Sequence, residues 1–180
     1  MDHYSGPHWA YRGVMTTTDV QHTTPRLAEH TQRLDWMQLA PDVFKAMARL
    51  DTVTGQGVEA NVLHLVKIRS SQVNRCAYCI DMHTKDALAA GESPDRIIQL
   101  DGWRESQHFY TAKEIAAIEL TEAITVLTQA GVPDEVYAKA AKEFSETELA
   151  YLIGAITMIN AWNRFGVSTR MVPGHYAPGS

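Results

Sequence analysis

Cys76, Cys79 and His83 are the residues of this sequence best placed to do chemistry. They stand in the run Cys76-Ala77-Tyr78-Cys79-Ile80-Asp81-Met82-His83, and no other cysteine occurs in the chain. Cysteines at this spacing close a disulfide with little backbone movement when they open a helix. The free N–H groups and the dipole of a helix start also favour a thiolate, the form that attacks a peroxide or a disulfide. His83 lies four residues after Cys79, which on a helix puts both side chains on one face. An imidazole there can take the thiol proton and return it to a leaving oxygen. Cys76 precedes His83 by about two turns, so it shares roughly the same stripe. The dipole favours Cys76 as the attacking thiol; the spacing to the base favours Cys79. We assign Cys79 as the peroxide-reactive thiol and Cys76 as the resolving one.

Other chemistries fit these residue types less well. Cys76, Cys79, His83 and His64 make a two-Cys, two-His set that zinc could use. Zinc-binding pairs, however, usually sit on a tight knuckle rather than running into a long helix, so no metal is expected. A covalent haem site is disfavoured because Ile80, not a histidine, follows Cys79. Tyr78 and Trp162 are expected to line the substrate pocket, with Asn163 beside Trp162. The neighbouring Asn160 and Arg164 read as a helix end packed at a subunit interface. Asp81 points away from the Cys79–His83 stripe and reads as structural. Glu122 lies on an otherwise apolar helix face and reads either as part of a buried ion pair with Arg69 or Arg104 or as a catalytic carboxylate. The remaining histidines show no ligand spacing.

Composition sets the context. The chain is 45% hydrophobic and 21% charged, enough for a core that needs no disulfide staples. A net charge of -5 argues against a dedicated nucleic-acid binder. No apolar run is long enough to span a membrane, and the first residues lack a secretory pattern, so the expected compartment is the cytoplasm. There a close cysteine pair means redox catalysis or metal binding more often than structure.

The elements that must position the pair are helices. Residues 1–25 have no clear period and read as an N-terminal arm; residues 26–180 read as one helical domain. Pro41 opens a helix through Phe44, Met47 and Leu50, broken at Gly55 and Gly57. A helix over about 58–73 presents Val62, Leu65, Val66 and Ile68. After a break at Asn74 and Arg75, the segment 76–90 is expected to be helical and to stop at Gly91. Ser93-Pro94 marks the next start, as N-cap and first helical residue. Thr111/Glu114 and Ser145/Glu148 have capping-box spacing. The first should open a helix reaching Leu127 and ending near Gly131; the second, one that stops near Gly166. Pro133 starts a helix to Phe144. No useful strand alternation occurs, so the fold class is an all-α bundle.

The run from His64 through Gln72 and Asn74 to Cys76, Cys79, Asp81 and His83 resembles the alkylhydroperoxidase D-like branch of the carboxymuconolactone decarboxylase superfamily. So do Trp103-Arg104-Glu105, Leu120 to Ala123, and Ile159 to Arg164. The resemblance covers about residues 35–175. It implies an all-helical fold assembled as a homo-oligomer, commonly a trimer or hexamer. It implies peroxidase activity in antioxidant defence through a disulfide cycle, with the second cysteine attacking the peroxide and no further cofactor. It also implies reset by an external dithiol, such as a lipoyl protein or a thioredoxin-like protein. One position departs: twelve residues before the first cysteine the family usually has a relay glutamate, and here stands His64. Imidazole can shuttle protons but supplies no fixed negative charge. The better-known enzyme also tends to have a histidine inside the pair, where this chain has Tyr78. A lyase or decarboxylase acting on a small carboxylated compound, and a non-catalytic zinc-binding helical protein, are the alternatives to a thiol peroxidase.

Overall fold

Capping chemistry sets the two helix starts that frame the core. The computed structural model describes residues 27–127 and 131–179. In it the Thr111 hydroxyl accepts the Glu114 N–H (3.2 Å), and the Glu114 carboxylate accepts the Thr111 N–H (2.8 Å). Ser145 and Glu148 repeat the arrangement at 3.3 and 2.9 Å. Each box satisfies two N–H groups that a helix start otherwise leaves unpaired. The order of elements is α1 (Trp36–Leu39), α2 (Pro41–Gly55), α3 (Ala60–Val73), α4 (Ala77–Ala89), α5 (Pro94–Gln99), a 3-10 turn (Gln107–Phe109), α6 (Ala112–Thr125), α7 (Asp134–Glu143) and α8 (Glu146–Thr169). No strand occurs among the described residues, so the chain is all-α as expected. The expected arm over 1–25 lies outside the described residues.

Helix α3 is the central element and packs against α4, α6 and α8. Its Val62 and Val66 join Leu120, Leu152 and Ile156 in one apolar cluster. Its Leu65 and Ile68 join Leu100, Trp103 and Ile118 in a second. The adjacent Leu65 and Val66 thus face different clusters, so α3 is apolar over more than one face. Arg69 is the most heavily paired polar residue it carries. Arg69 Nε donates to Glu122 (2.7 Å) and Arg69 Nη1 to Asp101 (2.6 Å). Trp103 Nε1 and Arg104 Nη2 donate to the same Glu122 carboxylate at 2.8 and 2.6 Å. Burial pushes the Glu122 carboxyl up, but these donors outweigh it and hold it below the usual carboxylate range. Glu122 is thus the ion-pair centre the sequence suggested, with both arginines.

Two helix ends differ from expectation. Helix α6 stops at Thr125 rather than near Gly131, and Val126 and Leu127 just beyond it are exposed, so helix through these two would gain no burial. Helix α8 does not stop near Gly166 but runs to Thr169, closed by Arg170 in the left-handed region (φ 58). Pro94 opens α5 as expected, yet the Ser93 side chain makes no capping bond there. No described helix is long and apolar enough to cross a membrane.

Candidate active site

The cysteine pair is delivered by a sharp turn between α3 and α4. Arg75 adopts φ 55, a conformation that L-residues other than Gly, Asn and Asp rarely take. The Arg75 N–H bonds the Gln72 carbonyl and the Cys76 N–H bonds the Ser71 carbonyl, both at 3.0 Å, which closes α3 in a Schellman turn. Cys76 then becomes the N-cap of α4, and its sulfur accepts the Cys79 N–H at 3.4 Å. Cys76 and Cys79 are joined as a disulfide, with Cα atoms 5.3 Å apart.

A buried amide network pins this turn to α8. Asn74 Nδ2 donates to Asn160 Oδ1 and Asn163 Oδ1, both at 2.8 Å. Asn163 Nδ2 donates to Ser71 Oγ at 3.0 Å, and Asn160 Nδ2 to Thr125 Oγ1 at 3.0 Å. Every amide in the set finds partners from a different helix, so the turn has one seating. This corrects two expectations. Asn163 does not line the pocket; it is fully buried behind the cysteine turn. Asn160 lies inside α8, not at a helix end, and its side chain serves the same network.

In front of the pair lies a cavity of about 350 Å³ walled by α1, α2, α4 and α8. Phe44, Ala48, Asp51 and Thr52 come from one stripe of α2, and Tyr78, Cys79, Met82 and His83 from α4. Trp36, Met37, Trp162 and Met171 complete the wall. Trp36 stacks on Phe165 at 4.0 Å and meets Phe44 and Trp162 at 5.9 Å, so the aromatic end is braced. Of the two sulfurs, Cys79 belongs to the wall and Cys76 does not. Tyr78 and Trp162 take the expected places. Burial raises the Tyr78 phenol above its ordinary value, so it stays neutral.

His83 is 7% exposed, and its Nε2 has no hydrogen-bond partner. Burial first, then the charge of Lys67 and the imidazole of His64, pushes it down to about 3. Beside the disulfide it is therefore a neutral base, not a standing acid. His64 is itself lowered, chiefly by burial, and it is not on the cavity wall. Its imidazole also contributes to the lowering of His83. Lys67 Nζ is paired with Asp51 Oδ2 at 2.9 Å. Asp51 and Trp36 were not singled out in the sequence. The 44/48/51/52 spacing on α2 is the signal that could have found Asp51. Asp81 is structural as expected: it pairs with Lys85 and accepts the Gly174 N–H at 3.0 Å, holding the C-terminal tail on α4.

Gly166 explains why α8 can pass so close. A β-carbon there would stand 2.7 Å from Cys76 Sγ and 3.2 Å from Cys79 Sγ. Gly166→Ala is expected to destabilise the oxidised protein by about 1–3 kcal/mol through overpacking. The reduced protein should lose less, because a free Cys76 side chain can rotate away. Thermal melts with and without reductant measure the difference; equal penalties in both states would mean that the sulfurs do not feel this position.

Comparison with known proteins places this architecture. The carboxymuconolactone decarboxylase family model matches residues 41–123, from the start of α2 into α6. YdfG of Bacillus subtilis is 40% identical over 139 residues, covering 77% of this chain and 94% of that protein. The chain belongs to the carboxymuconolactone decarboxylase family. Within the family it falls in the alkylhydroperoxidase D-like branch. A protein of unknown function from Agrobacterium tumefaciens, considered a candidate AhpD antioxidant defence protein, matches it with TM-score 0.75 and 33% identity, over 83% of this chain and 100% of that one. The debrominase Bmp8 shares the fold, with TM-score 0.68 and 19% identity over 77% of this chain and 75% of that one. His64 of α3 lies off the cavity wall, and among the described residues the carboxylate on that wall is Asp51, from α2.

Proposed function

We propose that this protein is a thiol-dependent peroxidase that reduces organic hydroperoxides through a Cys76–Cys79 disulfide cycle in antioxidant defence. The observation that carries the reading is the placement of Cys79 in the wall of an apolar cavity beside a neutral His83, with its disulfide partner behind it. In the reduced protein the Cys79 thiol gives its proton to His83. The thiolate attacks the terminal peroxide oxygen; an S–O bond forms and the O–O bond breaks. The leaving alkoxide takes the proton from His83 and departs as an alcohol. Cys76 sulfur then attacks the Cys79 sulfenic acid, and its proton leaves with the hydroxyl as water. Two thiols and one hydroperoxide thus give one disulfide, one alcohol and one water.

An external dithiol, a lipoyl protein or a thioredoxin-like protein, resets the cycle. Its thiolate attacks Cys79 sulfur from the cavity and expels Cys76 as a thiolate. Cys76 is suited to leave, because its sulfur already accepts an N–H at a helix start. The same reading keeps the cytoplasm as compartment and a homo-oligomer, trimer or hexamer, as working form; Leu39, Val43, Leu50 and Val53 are exposed apolar surface available to it. A lyase acting on a carboxylated compound is less well served, since the wall carries a carboxylate that repels one.

The test is thiol titration of the reduced protein before and after one equivalent of cumene hydroperoxide, with mass spectrometry. Loss of both thiols, with a two-hydrogen mass decrease linking Cys76 to Cys79, is expected. Two unreacted thiols would sink the reading.

A further inference from the structure

Few buried side-chain atoms among the described residues lack a hydrogen-bond partner. They are Trp36 Nε1, Asp51 Oδ1, His83 Nε2 and Arg96 Nε. Arg96 Nε is nonetheless in an ion pair with Glu92 at 2.9 Å. The other three belong to residues of the one cavity that holds Cys79. A buried polar atom left unpaired is costly, and a cluster of them in one place needs a reason. His83 Nε2 has one in the disulfide itself: a bonded sulfur has no proton to offer, whereas the reduced Cys79 has. Asp51 Oδ1 has no hydrogen-bond partner in the oxidised protein.

Among the described residues, Asp51 is the single formally charged one on the wall. Lys67 fixes its Oδ2 from α3, so the carboxylate is anchored and charged while Oδ1 is left with accepting capacity. The neutral His83 adds no charge to compete with it. A ligand that satisfies Oδ1 must bring a donor, and it must otherwise be apolar to lie against Phe44, Met82 and Trp162. A hydroperoxide has that composition: an apolar body and one O–H, on the oxygen that sulfur attacks.

We propose that Asp51 is a catalytic residue of this site, whose free carboxylate oxygen accepts a hydrogen bond from the terminal O–H of the hydroperoxide and holds that oxygen for attack by Cys79. This rests on the peroxidase reading and adds the group that touches the peroxide. The hydrogen stays on its oxygen throughout and ends on the Cys79 sulfenic acid. Asp51 therefore orients the electrophile and transfers no proton; the thiol proton travels through His83 to the leaving alkoxide.

The experiment compares Asp51→Asn with the unsubstituted protein, both fully reduced. Asparagine keeps the size and an oxygen but loses the charge. The second-order rate of thiol loss with cumene hydroperoxide is expected to fall about 10- to 100-fold. Alkylation of Cys79 by iodoacetamide, which needs the thiolate but offers no O–H, is expected to stay within about twofold. Asp51→Glu, which keeps the charge one methylene away, should recover part of the peroxide rate, and it replaces the asparagine variant as the test if that one does not fold. An unchanged peroxide rate in the variant overturns the proposal. So does a parallel fall in alkylation, which would make Asp51 a strut between α2 and α3. Failure of the peroxidase reading looks different, since the unsubstituted protein itself would then not lose thiols.

Discussion

Cys79→Ser is expected to abolish hydroperoxide turnover, a loss of at least about 10³-fold, or roughly 4 kcal/mol of transition-state stabilisation. A serine hydroxyl is not ionised near neutrality, and oxygen cannot take the sulfenic oxidation level, so no slower version of the reaction remains. Cys76→Ser is expected to behave differently. It should consume about one peroxide per chain and stop, with Cys79 trapped as sulfenic acid and then over-oxidised. The asymmetry follows from where the sulfurs sit. Cys79 is in the cavity wall, whereas Cys76 is behind it at the α4 N-cap, under Gly166. Helix-start electrostatics alone would have made Cys76 the attacker. On the proposed reading access weighs against it, because Cys79 and not Cys76 lines the cavity. Turnover with a dithiol reductant, and sulfenic-acid trapping on each variant, check the assignment. A single turnover in Cys79→Ser and none in Cys76→Ser would reverse it.

The helices around this site were largely legible because their signals are local. Thr111/Glu114 and Ser145/Glu148 cap within four residues, Pro41 marks the first turn of α2, and Gly91 follows α4 with φ 92. The cysteine pair and His83 were legible for the same reason: one helix carries all three. What escaped depends on distant contacts. Gly166 reads as a helix stop when only its propensity is considered, yet it sits inside α8 because two sulfurs from another helix leave no room for a side chain. Asn163 reads as a pocket residue beside Trp162, but adjacent helical positions point about 100° apart, and Asn74 and Ser71 draw it inward. Asp51 looks like one more charge on a surface helix; α2 buries no residue fully, so its inward stripe is faint. Only the pairing with Lys67 and the shared cavity bring it to His83.

The oxidised protein is expected to lose stability as the pH falls from 7 to 5, and most of that loss should trace to His83. In the folded state burial, with Lys67 and His64, holds this imidazole at about 3, against an ordinary value of 6.5. In the unfolded chain it takes a proton near the ordinary value. Protonation therefore favours unfolding, so stability is full above about pH 6.5, falls as the pH drops and levels off below the folded value. Between pH 7 and pH 5 this one group amounts to about 2 kcal/mol. Glu114 and Glu122 are held below their ordinary value of 4.5, so the stability they add is lost mainly as the pH falls below that value, under this window. His64, also lowered by burial, contributes in the same direction but is less buried. His83→Gln removes the titration while keeping a polar side chain of similar length. Urea unfolding at pH 7, 6 and 5 should show a steep pH dependence in the unsubstituted protein and a shallow one in the variant, whatever their stabilities at pH 7. Parallel curves would mean that His83 carries its charge inside the fold. It would then act as an acid from the outset, and the direction of proton flow from Cys79 would have to be redrawn.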